Sequence, residues 1–218
     1  MTVVLLDERW PTLIPMEWVG KLSGSVTFSP EIPVKVRWNF NALLDDAPGY
    51  ANSIANSTSE IYVAFDDNQP EVRERIENGA QVYTVATRED PVYQAQRVME
   101  RAYALGEWER SHTHESLLPY LQEEAAEFAE AVKTSDDETV KAELADVFLQ
   151  VLFHAEIATR RGAFGIADVA QAFIDKLRSR APYLFDGTVF VVDMETQDRL
   201  WQEGKKAEQQ ARNNASSS

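Results

Sequence analysis

Five carboxylates in the second half of the chain are spaced as a chemical site would space them. Glu123, Glu124 and Glu127 form an EExxE run; after fifteen intervening residues, Glu143 and Asp146 form an ExxD run. On a helix turning about 100° per residue, Glu124 lies roughly 60° from an apolar stripe centred on Leu121 and Ala125, and Glu127 is one turn along on the same flank. Glu143 and Asp146 flank a second stripe of Leu144, Val147 and Val151. Packing two such helices antiparallel gathers four carboxylates. Like charges at close range repel, and in a partly dehydrated groove cations must neutralise them; hard oxygen ligands of this kind select Mg²⁺ or Mn²⁺. A Mg²⁺ site favours a phosphate substrate. Neither pair has the lysine at i+4 that a salt-bridged surface helix would use. Of the histidines, His154 falls near the polar flank of the second helix. It is expected to be a hydrogen-bonded structural residue, and His112 and His114 are not expected as ligands.

The elements that would position these residues follow from periodicity. Up to about residue 90 the chain has β-branched runs broken by Pro, Gly, Asn and Asp; Val3 to Leu6, Val26 to Phe28, Val34 to Trp38, Ile61 to Phe65 and Val82 to Val85 read as strands. Gln69 to Ile76, closed by Gly79, reads as a helix inside a strand-helix-strand unit. Asn52 to Thr58 reads as a polar surface loop. From Asp90 helices follow one another. The first has Asp90 as cap and Pro91 at its first position, with Gly106 as its stop. The second starts near Thr113 to Ser116, with Leu118, Leu121, Ala125, Phe128 and Val132 as its stripe. The third is expected to be capped by Ser135 in a capping box with Glu138, and to run to Gly162. A fourth spans Ile166 to Arg180 and a fifth opens after Asp193. The expected fold is mainly α: an all-α helical bundle over 91–210, preceded by a small α/β segment over 1–90 and followed by a disordered tail over 211–218.

Composition narrows the functional classes. A formal charge of −15 repels nucleic acid and anionic membranes, so neither is an expected partner, and an anionic substrate would need metal ions or a few placed cations. With no cysteine, disulfides, thiolate metal sites and cysteine nucleophiles are excluded. No run approaches the roughly 20 apolar residues of a membrane span, and the opening residues lack the basic flank of a signal peptide, which suggests the cytoplasm. No Ser-His-Asp order or glycine-rich phosphate loop offers a rival chemistry.

Four segments, Thr113 to Leu117, Pro119 to Glu127, Glu143 to Ala155 and Lys176 to Pro182, together resemble the MazG family over about residues 100 to 206. The resemblance implies an all-α fold that works as a homodimer, and Mg²⁺-dependent hydrolysis of nucleoside triphosphates to monophosphate and pyrophosphate in nucleotide-pool house-cleaning. Position by position, it implies Glu124, Glu127, Glu143 and Asp146 as metal ligands and Glu123 or Glu127 as the base. It implies Lys176, Arg180, Trp201 and Lys205 as the residues facing the triphosphate or the nucleobase. This sequence departs from the family in having Ala145 where Gly is usual, Gly106-Glu107-Trp108-Glu109 for Cys-Pro-Trp-Asp, and Ala181-Pro182 for His-Pro. The first 90 residues lie outside the resemblance and are short for the tetrapyrrole-methylase-like domain fused to some relatives. Two alternatives to a broad activity remain: a narrower nucleotide such as dUTP, dCTP or phosphoribosyl-ATP, or a non-catalytic acidic dimer presenting the α/β segment to a protein partner.

Overall fold

The computed structural model describes residues 1–18, 21–22, 24–45, 60–134 and 136–215. The chain divides into two compact units, Met1–Gln94 and Ala95–Ser218. The expected polar loop Asn52 to Thr58 lies outside the described residues.

The first unit is a parallel sheet in the order β2-β3-β1-β4, with β1 at Thr2–Leu5, β2 at Ser25–Phe28, β3 at Glu60–Ala64 and β4 at Gln81–Thr84. Beyond their first residues, Thr2 and Glu60, its two central strands are buried at every position because both faces are covered. Val4, Ile61 and Val63 pack on one side against Ile32, Val36 and Phe40, whereas Val3, Leu5, Tyr62 and Ala64 pack on the other against Val72. Val72 belongs to α2 (Pro70–Glu77), the helix expected from Pro70, and the turn beyond it needs Gly79 at φ 83°.

One expected strand is a helix. Val34 to Trp38, read as a strand from its β-branched residues, forms the start of α1 (Val34–Asp45). Burial decides the conformation: Ile32, Val36 and Phe40, four residues apart, enter the core, while Val34 and Trp38 stay exposed. The Arg37 guanidinium donates from Nε to the Ile32 carbonyl at 2.7 Å and ties down the entry to the helix.

Helices follow from there: α3 (Pro91–Leu105), the short α4 (Glu107–Ser111), α5 (Leu118–Thr134), α6 (Asp137–Arg160), α7 (Ile166–Arg180) and α8 (Met194–Ala215). The start of α3 is as expected, with Asp90 Oδ1 accepting from Val92 N–H at 2.9 Å. A reciprocal pair precedes α5: Ser116 N–H donates to Thr113 Oγ1 at 3.2 Å and Thr113 N–H to Ser116 Oγ at 2.9 Å. The cap of α6 is Asp136 rather than Ser135, its carboxylate accepting from the N–H groups of Glu138 and Thr139. Asp136 also holds the Thr139 hydroxyl, and Glu138 pairs with Lys141 instead of closing a capping box. The last helix continues through Ala215, into the segment that composition reads as a tail. In this unit the core is Met99, Leu117, Leu152, Phe153 and Ile157, which joins α3, the approach to α5, and the second half of α6.

Candidate metal and nucleotide site

A short connection makes α5 and α6 an antiparallel pair, and only part of each expected stripe is covered: Leu121 and Phe128 on α5, and Val147, Phe148 and Ala155 on α6. On α5 the covered side carries Leu121, Glu124, Phe128 and Ala131, while Leu118, Ala125 and Val132 are exposed. On α6, Glu143, Val147, Gln150 and His154 are at least partly covered, while Leu144 and Val151 are exposed. Glu124 and Glu143 therefore lie on the covered faces themselves, not on their flanks.

The consequence is electrostatic. Glu124, Glu127 and Glu143 each bring a carboxylate oxygen within 4.8 Å of the other two. Burial raises the Glu124 carboxyl above its ordinary range, and the charges of Asp146, Glu127, Glu123 and Glu143 raise it further. Asp146 exerts the strongest of those charge effects on Glu124, while the carboxylates that gather within 4.8 Å are the three glutamates. Glu143 Oε2 is buried and has no hydrogen-bond partner among the described residues. A buried carboxylate oxygen without a donor, among other carboxylates, is one that a hard divalent cation could satisfy. Glu123 and Glu127 are exposed and Ala145 is exposed on α6.

Beyond the carboxylates, α6 turns further polar groups in the same direction. Gln150 and His154 follow Glu143 at seven and eleven residues, close to two and three full turns. His154 Nδ1 lies 2.9 Å from His114 Nδ1, and burial, with the neighbouring His114, pushes the His154 imidazole below its ordinary value. His154 is thus a hydrogen-bonded partner of the turn that opens α5. Gln150, 5% exposed and with no partner for its Oε1 among the described residues, was not legible as a buried residue, because a glutamine inside a Glu-rich helix reads as surface. A cavity of about 160 Å³ lined by Met99, Glu100, Leu152, Glu156 and Ile166 lies apart from the carboxylates, and Arg160 neutralises its buried Glu156.

The four expected nucleotide-facing residues lie on α7 and α8. Lys176 and Lys205 are exposed, and Trp201 is partly exposed. Arg180 lies over the Trp201 ring, 5.1 Å from its centroid, and is paired with Glu208. The helices approach closely where Gly204 meets the Ser179–Arg180 backbone; a Cβ there would lie 2.5 Å from the Ser179 carbonyl oxygen. Glu208 and Gly204 were not singled out from sequence, although Trp201, Gly204, Lys205 and Glu208 fall at i, i+3, i+4 and i+7, one face of a helix.

Comparison with known proteins extends the resemblance to the first unit. Residues 1–83 match the MazG N-terminal domain, so the segment expected to lie outside the family is part of it, and residues 112–185 match the MazG nucleotide pyrophosphohydrolase domain. The chain is similar to the nucleoside triphosphate pyrophosphohydrolase of Mycobacterium tuberculosis, 34% identical over 95% of this chain and 62% of that protein. The protein of the same description from Mycolicibacterium smegmatis is 34% identical over 100% of this chain and 65% of its own length. The nucleoside triphosphate pyrophosphohydrolase/pyrophosphatase MazG of Thermotoga maritima is 53% identical over 36% of this chain and 31% of its own. The chain thus spans less than two thirds of the length of these curated relatives. No helix among the described residues is long and apolar enough to cross a membrane. Both units carry the family's domains, and the chain belongs to the MazG family.

Proposed function

We propose that the chain hydrolyses nucleoside or deoxynucleoside triphosphates to the monophosphate and pyrophosphate, as a cytoplasmic homodimer serving nucleotide-pool house-cleaning. The observation that carries this reading is the carboxylate group on α5 and α6, with its elevated Glu124 and the unpartnered oxygen of Glu143. Glu124, Glu127, Glu143 and Asp146 would hold Mg²⁺, or Mn²⁺ in its place. When bound, such an ion offsets phosphate charge and makes water more acidic. The protein's own share is positioning and proton transfer. Lys176, Arg180, Trp201 and Lys205 would orient the nucleotide. A water then forms a bond to the α-phosphorus as the bond to the bridging oxygen breaks and pyrophosphate departs, and its proton passes to Glu123 or Glu127. Both glutamates are exposed, so the accepted proton can return to solvent between turnovers.

Pyrophosphate release from a panel of ribo- and deoxynucleoside triphosphates, with Mg²⁺ and with EDTA, tests the proposal. Metal-dependent release accompanied by the monophosphate is expected. Glu127→Gln should abolish turnover, lowering it by about a thousandfold or more, while the melting temperature stays close to that of the parent. Turnover surviving in that variant would overturn the scheme.

A further inference from the structure

The guanidinium of Arg180 is already committed. Its Nε donates to one Glu208 carboxylate oxygen at 3.0 Å and its Nη2 to the other at 2.6 Å. Nε and Nη2 form the edge that an arginine would otherwise turn toward a phosphate, and bidentate pairing to a carboxylate occupies it. Pairing along that edge fixes the plane of the guanidinium, and its flat face lies over Trp201. Hydrogen bonding from Arg180 holds the Glu208 carboxyl down at about 2, so the pair stays ionised throughout the neutral range. Gly204, one turn before Glu208 and nearly one after Trp201, admits the α7 backbone close enough for all three groups to meet. By contrast, Lys176 and Lys205 are exposed and suited to anionic oxygens.

We propose that Glu208 is a positioning residue that fixes Arg180 against Trp201, so that the two form a stacking platform for the planar base, with the phosphates left to Lys176, Lys205 and the carboxylate-bound metal. Planar cations and indoles both stack on nucleobases, and a platform fixed in advance binds without the entropic cost of ordering it. The inference rests on the reading that α7 and α8 meet the nucleotide.

Glu208→Gln keeps the shape of the side chain and removes the ion pair. It is expected to raise KM for nucleoside triphosphates by about tenfold with kcat within about twofold, the pattern of lost uniform binding. Inhibition by inorganic tripolyphosphate, which has no base, should be unchanged. Arg180→Lys keeps the charge but loses both the fork and the plane, and should act in the same way; Glu208→Asp should recover part of the affinity. Tripolyphosphate weakening in step with the nucleotides would overturn the proposal, as would a KM unmoved by both substitutions. Trp201→Phe separates the two levels. If it leaves nucleotide affinity intact, the nucleotide reading of α7 and α8 fails; if it weakens affinity while Glu208→Gln does not, only the positioning role falls.

Discussion

At the scale of single residues, Glu124 has the most to reveal, since its environment is unfavourable for the charge it carries. Burial and the surrounding acids raise its pKa above the ordinary 4.5, so the folded chain binds this proton more tightly than the unfolded chain does. The resulting stabilisation is complete below the unfolded value and is lost as pH rises through the folded one. In EDTA, wild type should therefore lose stability relative to Glu124→Gln as pH climbs from about 4.5 toward 8, read as the difference between their melting temperatures. A bound cation reverses the preference, because it competes with the proton for the same oxygens. With Mg²⁺ present, wild type should gain stability over the same interval and Glu124→Gln should gain less. Identical pH profiles for the two proteins in EDTA would mean that Glu124 is not under the pressure described.

At the scale of elements, the helices were legible because each repeats a 3.6-residue pattern for several turns between recognisable breakers, as with Asp90-Pro91 before α3 and Asp193 before α8. The covered face was harder to read, because α5 and α6 each carry two apolar sides and periodicity does not say which one the neighbouring helix takes. Leu118, Leu121, Ala125, Phe128 and Val132 suggest one stripe, yet Leu117, Leu121, Glu124 and Phe128 form the side that is covered, and a carboxylate in that row is invisible to a search for hydrophobes. Likewise Val34 to Trp38 looked like a strand until tertiary burial of Val36 and Phe40 chose the helical period. Two substitutions probe elements directly. Asp136→Ala removes the acceptor for two backbone donors and should cost about 1 kcal/mol in urea denaturation, whereas Ser135→Ala should cost little. Gly204→Ala gains about 1 kcal/mol of helix propensity, but it drives a methyl into the α7 backbone, where such overpacking costs about 1 to 3 kcal/mol. The expected net result is destabilisation; a more stable Gly204→Ala protein would mean that α7 and α8 part without penalty.

For the whole molecule, the second apolar side of α5 and α6 is a surface in need of a partner. Leu118, Ala125 and Val132 lie about 100° round α5 from Glu124, and Leu144 and Val151 lie about 90° round α6 from Glu143. In an antiparallel pair these rotations carry both sets to the same side, so the exposed residues form one face, opposite to the side toward which Glu127 and Asp146 turn. Leu118 at 47%, Val132 at 53% and Leu144 at 52% exposure are too open for a finished core, and contiguous apolar surface of this kind is rare on monomers. Covering it with the same face of a second copy satisfies both chains at once through a two-fold axis, and it leaves the carboxylates on the outer side free for substrate. The proposed homodimer should therefore depend on this face. Leu118→Glu together with Val132→Glu should halve the mass measured by analytical ultracentrifugation, from about twice the 24.6 kDa of the chain, and should make the melting temperature of the parent, but not of the variant, rise with protein concentration. If the variant keeps the parent's mass, or if the parent already sediments as a single chain, the apolar side of the α5–α6 pair must be accounted for by something other than a second copy.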